Sequence, residues 1–393
     1  MKVLVLHSEL GVLWGGGETF TTSLFQAVAR RGHHVTAVFV ADRRGQYPRA
    51  LPEAFETLPL PGIWSRKPGQ AWLSMIGAKL PAALKPAWGR GQEAISWRTV
   101  RWHSRRFQRR AEAALASRWG EFDAVYVNGN VPLAHRAASH RPTLLMLPGP
   151  VSDDETHLLP AIQAVCSHDD GLTAIRAVLG EQATELPLGL DGDVFRPAPD
   201  SVREQLGWSG RELVIGFVGR LDLIKGVDLL ATAFANVARA VPEARLLMVG
   251  SGEEEARLRS VLAKEFASRR VHLQPRMRQE DLPRWYRAMD VLVMPSRYET
   301  MSNAVLEAMA CGVPFVASAV GGSRELVKTQ AGWLFTPESA SSLAQVLEAV
   351  AARRDELNCR GLRATRHVHE RYSWASSAQR FEEIIRTRLG VTA

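Results

Sequence analysis

The sequence of 393 residues is poor in cysteine, with only Cys166, Cys311 and Cys359, too few and too irregularly spaced for a disulfide framework or a thiolate metal site. A reducing compartment is the expectation. No uncharged apolar stretch approaches the roughly 18 residues a membrane-spanning helix needs. The opening Met1–His7 run, followed by Ser8, Glu9 and a glycine cluster, lacks the length and cleavage site of a signal peptide, so cytoplasmic localisation is expected. There is no G-x-G-x-x-G fingerprint and no Walker A sequence, which disfavours NAD enzymes and P-loop ATPases. Without H-E-x-x-H, G-x-S-x-G or a Cys/His cluster, zinc and hydrolase chemistries lack support.

What is present is length, basicity and a repeated α/β pattern. The chain is long enough for two domains, each with its own core. A net charge of +8 and a pI near 9.7 favour an anionic partner, but nucleotide, acidic lipid and nucleic acid all qualify. Strand-length apolar runs recur at Val3–Leu6, Val35–Val40, Ala124–Val127, Leu144–Leu147, Ala161–Cys166 and Thr184–Leu188. They recur more cleanly at Leu213–Val218, Ala244–Val249, Val271–Gln274, Val291–Met294 and Pro314–Ala317. Helix-like patterns between them predict two doubly wound, parallel, Rossmann-like sheets. The turn-rich Leu188–Pro197 segment marks a hinge, giving expected domains at 1–192 and 193–372. Residues 373–393 are expected to form a final helix packing back on the first domain.

From Ile63 to Trp119 the pattern breaks. The stretch holds six tryptophans, and twelve Lys/Arg from Arg66 to Arg118 face only Glu93 and Glu112. Cationic stems interleaved with aromatic rings suit an anionic membrane surface, and a solvated basic helical face with a few core tryptophans is the competing reading. Trp97, Arg98, Arg101, Trp102, Arg105, Arg106, Arg109 and Arg110 are the residues that would decide it.

The strongest chemical signal runs from Val291 to Pro314 and reads strand, loop, helix, stop. Ser302 is a plausible N-cap, so amides near Ser302, Asn303 and Ala304 would be free donors suited to phosphate. Glu299 just before the helix and Glu307 inside it would stand roughly 12 Å apart at helical rise. That spacing suits a diol-bearing ribose at one end of a diphosphate and a hexose at the other, because carboxylates accept from hydroxyl pairs and repel phosphate. The cations a diphosphate needs are in Gly219-Arg220-Leu221-Asp222-Leu223-Ile224-Lys225-Gly226, which follows a predicted strand at the sheet's carboxyl edge. Any one of these residues alone reads as a solvated loop charge; their strand-end contexts together point to a nucleotide-sugar site.

Other motifs carry less. Gly15-Gly16-Gly17-Glu18 follows the first strand and would let backbone amides approach a substrate, although a tight turn explains it as well. Val249-Gly250-Ser251-Gly252 and Gly321-Gly322 could line a nucleotide site or be packing turns. Asp191 and Asp193 spell D-x-D, a possible Mg²⁺ or Mn²⁺ pair, but their place in the hinge favours a structural role.

The run from Glu299 through Glu307 into Ala308-Met309-Ala310-Cys311-Gly312-Val313-Pro314 resembles glycosyltransferase family 4, whose hallmark is two glutamates separated by seven residues. The glycine loop, Leu188–Pro197, Gly219–Gly226, Gly250–Gly252 and Gly321-Gly322 with Glu325 look like further landmarks in the same order. The resemblance implies a GT-B fold with an interdomain cleft, an acceptor-binding first domain, no metal or other cofactor, and transfer with retention to a glycan, lipid-linked or small-molecule acceptor. It implies Arg220, Lys225 and Glu299 as catalytic groups, with Gly16, Gly17, Gly219, Gly250, Met301, Ser302, Asn303 and Glu307 completing the nucleotide-sugar site. A UDP-sugar donor is favoured and a GDP-sugar is the other candidate. The chain departs from the family where many members carry a cleft histidine, reading Pro148-Gly149-Pro150, which keeps open an epimerase or a non-transferring nucleotide-sugar binder. No nucleic-acid partner is expected.

Overall fold

The computed structural model describes residues 1–8, 10, 16–41, 51–61, 104–147, 151–167, 170–299 and 301–391. The chain divides into two compact units. One comprises Met1–Ser167, Arg176–Thr184 and Ala378–Ala393; the other comprises His168–Ile175 and Glu185–Ser377.

The first unit is built on β1 (Lys2–Leu6), β2 (His34–Ala41), β3 (Phe55–Pro61), β4 (Ala124–Asn128), β5 (Thr143–Leu147), β6 (Ala164–Ser167) and β7 (Ala183–Glu185). They lie in the order β3-β2-β1-β4-β5-β6-β7. The pairs from β3 through β6 are parallel. Continuous apolar runs in β1, β4 and β5 fit strands covered on both faces. The helix Gly16–Arg30 buries Phe20, Leu24, Phe25 and Val28 at helical spacing. Phe25 meets Tyr126 and Phe381 edge-on at 4.8 and 5.2 Å, so the C-terminal helix Trp374–Leu389 supplies a ring to this core.

The second unit contains β8 (Leu213–Val218), β9 (Ala244–Val249), β10 (Val271–Gln274), β11 (Val291–Met294), β12 (Phe315–Ser318) and β13 (Gly332–Phe335). These form an all-parallel sheet ordered β10-β9-β8-β11-β12-β13. Four of the strands, β8 to β11, have the bounds the apolar runs predicted. Two strands escaped the sequence pattern, and both are edge strands. β3 carries Pro59 and Pro61, which remove ladder donors and are tolerated only at an edge. β13 is four residues opening on Gly332, where a Cβ would come within 2.4 Å of the Phe315 carbonyl oxygen.

In the basic stretch, residues 104–115 are helical and bury Phe107, Ala111 and Leu115. Trp119 is 8% exposed and stacks on His140 at 4.8 Å, so this tryptophan is a core residue. Trp97, Arg98, Arg101 and Trp102 lie outside the described residues, as do Pro148, Gly149 and Pro150. Asp191 accepts the amides of Asp193 and Val194 at 3.0 and 3.3 Å, which makes the D-x-D pair an Asx-type turn. Among the described residues there is no metal-holding cluster and no helix long and apolar enough to cross a membrane.

Candidate functional site

In the second unit the strand order reverses between β8 and β11, and ligands of such sheets bind beyond the carboxyl ends of strands at that point. The loops after β8 and β11 carry the candidate residues and are tied to each other. Gly226 adopts φ 68°, and a Cβ there would fall 1.9 Å from the Pro295 carbonyl oxygen, so only glycine lets the loops close. Arg297 donates its amide to the Ile224 carbonyl at 2.8 Å. Its guanidinium grips Asp228 through two hydrogen bonds of 2.8 and 2.9 Å, which hold the Asp228 carboxyl below its ordinary range.

This clamp brings Lys225 onto Glu299. The ammonium pairs with Oε2, which the Ser296 hydroxyl also approaches at 3.4 Å. The two side chains are 20% and 18% exposed, open to a ligand yet shielded enough for their charge to matter. Asp222 accepts the Lys225 amide at 2.9 Å and so fixes the loop. Arg220 does not join Glu299. It pairs with Asp222 at 3.0 Å and is 67% exposed. Gly219 and Gly250 are neighbours, with the Gly219 amide donating to Val249 at 3.0 Å and a Gly250 Cβ placed 1.9 Å from the Gly219 oxygen. Close chain packing is thus a sufficient reason for glycine at 250.

Beyond Glu299, Met301 and Ser302 are buried, and Ser302 caps the helix Asn303–Ala310 by accepting the Val305 amide at 3.4 Å. Asn303 is that helix's first residue, so the leading amides lack intrahelical acceptors. A small open depression lies here, lined by Met294, Ser296, Glu299, Ser302, Val305 and Ser318 among others. Glu307 is not among its lining residues.

Glu307 occupies a different environment. It is 6% exposed, with Oε2 accepting the Tyr286 hydroxyl at 2.7 Å and Oε1 accepting the Gln279 side-chain amide at 2.9 Å. Burial pushes its pKa up to about 7, against the lowering effect of the two hydrogen bonds. The two glutamates of the motif therefore do separate things: Glu299 is paired to a cation, and Glu307 is buried against neutral donors.

In the first unit, Gly16 and Gly17 begin the helix after β1, and a Cβ on Gly17 would meet only Asn128 at an ordinary 3.6 Å. Beside them sits a buried polar cluster. His7 contacts Thr21 Oγ1 at 3.1 Å and Asn128 Nδ2 at 3.2 Å, with a Glu18 oxygen 3.8 Å away. Burial drives the His7 pKa down to about 3, so the imidazole is neutral.

Sequence reasoning missed Tyr286, Gln279 and His7. A lone tyrosine within Pro283-Arg284-Trp285-Tyr286 and a glutamine in a charged turn have no spacing signature, and His7 looked like the end of an apolar run.

Comparison with known proteins bears on this geometry. The family model described as glycosyl transferases group 1 matches residues 212–353. A D-inositol 3-phosphate glycosyltransferase of Segniliparus rotundus is 32% identical over 213 residues, covering 53% of this chain and 47% of that protein. A GDP-mannose-dependent monoacylated alpha-(1-6)-phosphatidylinositol monomannoside mannosyltransferase of Corynebacterium glutamicum is 30% identical over 55% of this chain and 60% of its own length. The chain spans about half the length of the curated relatives it matches. Among solved structures, sucrose-phosphate synthase from Thermosynechococcus elongatus superposes with a TM-score of 0.79 over 100% of both chains at 21% identity, which is a likeness of fold. The segment 212–353, with Lys225, Glu299 and Glu307 inside it, is the part of the chain that matches the glycosyl transferases group 1 model, in a chain with the two-unit α/β GT-B fold.

Proposed function

We propose that the protein is a retaining, metal-independent glycosyltransferase that moves a sugar from a nucleoside diphosphate-sugar to an acceptor hydroxyl. The observation that carries this reading is the pairing of Lys225 with Glu299 where the strand order of the second unit's sheet reverses, beside the start of the helix Asn303–Ala310 and inside the segment that matches the group 1 model. A carboxylate there accepts from sugar hydroxyls, and an ammonium and free helix amides stabilise negative charge. Lys225, with Arg220 swinging from its exposed position, neutralises charge growing on the departing diphosphate. Glu299 orients the sugar, Glu307 takes the ribose diol, and Met301, Ser302 and Asn303 present backbone to the phosphates. Gly219 and Gly250 bound the site.

In the reaction the bond from the sugar's anomeric carbon to the diphosphate oxygen breaks as the acceptor oxygen bonds to that carbon. The acceptor's proton leaves with the diphosphate. The base is uracil or guanine; a UDP-sugar is the favoured donor, and the mannosyltransferase relative is named for a GDP-sugar. The acceptor is a glycan, a lipid-linked glycan or a small molecule, classes compatible with the inositol-containing compounds in the relatives' names.

Thermal unfolding with UDP, GDP, ADP or dTDP in EDTA tests the donor site. Ligand at about 100 times its dissociation constant adds roughly 2.7 kcal/mol. Selective stabilisation by one nucleotide supports the reading and its metal independence, and no shift from any of the four overturns it.

A further inference from the structure

We infer that Tyr286 is a positioning residue that holds Glu307 for the ribose diol, and that the Gln279 side chain is a stand-in for that diol. Both assignments rest on the nucleotide-sugar reading above.

The two partners of Glu307 differ in their freedom to leave. Tyr286 is fully buried, with Phe195 edge-on at 6.1 Å, and its hydroxyl has no other place to go without a void opening around the ring. Gln279 is exposed and sits in the short turn Gln279–Asp281, so its amide can swing into water at little cost. A buried carboxylate oxygen left without a donor is expensive, which explains why an exposed side chain reaches in to cap Oε1. A ribose brings two hydroxyl donors to the same oxygen. Their arrival exchanges one neutral donor for others with no change of charge, while Tyr286 keeps Oε2 satisfied and the carboxylate plane fixed.

The ionisation of Glu307 also depends on that tyrosine. Cys311 at the end of the same helix is pushed up to about 12, first by burial, and is therefore a neutral thiol. Tyr286 is raised well above its ordinary range and is neutral as well. The charged form of Glu307 is favoured by the Tyr286 and Gln279 hydrogen bonds and opposed by burial.

The test uses the full chain and whichever of UDP or GDP it binds, together with the 2′-deoxy form of the same nucleotide, between about pH 6 and 8.5. Tyr286→Phe should weaken ribonucleotide binding about tenfold and 2′-deoxy binding far less, so that preference for ribose collapses. Its donor KM should rise with kcat nearly unchanged, and the acid limb of its affinity profile should move to higher pH. Gln279→Ala should bind the ribonucleotide at least as tightly as the parent and keep the ribose preference.

Unchanged ribose preference and pH profile in Tyr286→Phe would mean the hydroxyl only fills space, and that overturns the assignment. If Gln279→Ala loses as much as Tyr286→Phe, the glutamine is a permanent partner and the stand-in role is wrong. Should Tyr286→Phe fail to fold, Gln279→Ala is compared with the parent instead, and a tenfold or larger loss of ribonucleotide binding makes the glutamine a permanent partner and overturns the inference. A parent protein that binds no nucleotide, or a Glu307→Ala variant that binds as well as the parent, removes the donor-site reading itself and not merely Tyr286.

Discussion

The two sheets share a strand order, yet each hides a different titratable group near the point where that order reverses. In the first unit it is His7, a base held neutral by burial with its pKa driven to about 3. In the second it is Glu307, an acid pushed up to about 7 by the same cause. Burial opposes charge in both, so it acts in opposite directions on a base and an acid. The first unit has reason to fear acid, and the second carries a cost that grows toward alkaline pH.

The sharpest way to break this contrast is kinetic. If donor chemistry resides in the second unit, Lys225→Ala should lower kcat/KM by about a thousandfold, whereas His7→Gln should leave nucleotide affinity within about twofold. Steady-state turnover and calorimetric nucleotide binding measure the two; near-normal turnover by Lys225→Ala would erase the distinction.

Next in size is the acid response of His7. Its folded pKa lies below the ordinary 6.5, so its contribution is intact above about pH 6.5 and is lost as pH falls toward 3, on the order of 4 kcal/mol in total. Denaturant titrations from pH 7 to 4 should show the first unit of His7→Gln losing less stability than the parent. Equal losses would mean that the cluster relaxes to admit a charged imidazole.

Glu307 works the other way. Its folded pKa is raised above 4.5, so stability present below that pH is lost as pH climbs to about 7, on the order of 3 kcal/mol. Glu307→Gln should therefore be more stable than the parent at pH 8, less distinguishable at pH 5, and poor at binding nucleotide. A variant destabilised at both pH values would show that the hydrogen-bond geometry, not the charge, dominates.

The smallest expected effect concerns the exposed tie of Arg31 to Glu382, with distances of 2.5 and 2.8 Å. Arg31→Ala should cost about 0.5 to 1 kcal/mol and leave nucleotide binding untouched. A much larger loss in thermal unfolding would mark the C-terminal helix as a cooperative part of the first unit's core.

Much of this was legible in the chain. Buried parallel strands such as β8 and β9 are continuous apolar runs, and their bounds could be read directly. The strand-loop-helix signal around Glu299 located Ser302 as a cap because capping residues are chemically distinctive. The edge strands β3 and β13 were hidden because prolines and glycine are tolerated there for reasons of neighbourhood, not propensity. The clamp of Arg297 on Asp228 was equally invisible, since 69 residues of sequence separate the partners.

By itself the sequence determined the α/β class, the repeated sheets and the loops that bear charge at strand ends, because periodicity, turn chemistry and capping act over a few residues. Only the tertiary structure decided that Lys225 meets Glu299 while Arg220 turns to Asp222, and that Glu307 is shut in with Tyr286 and Gln279. Pairing and desolvation depend on which distant segments come together, and no local pattern encodes that.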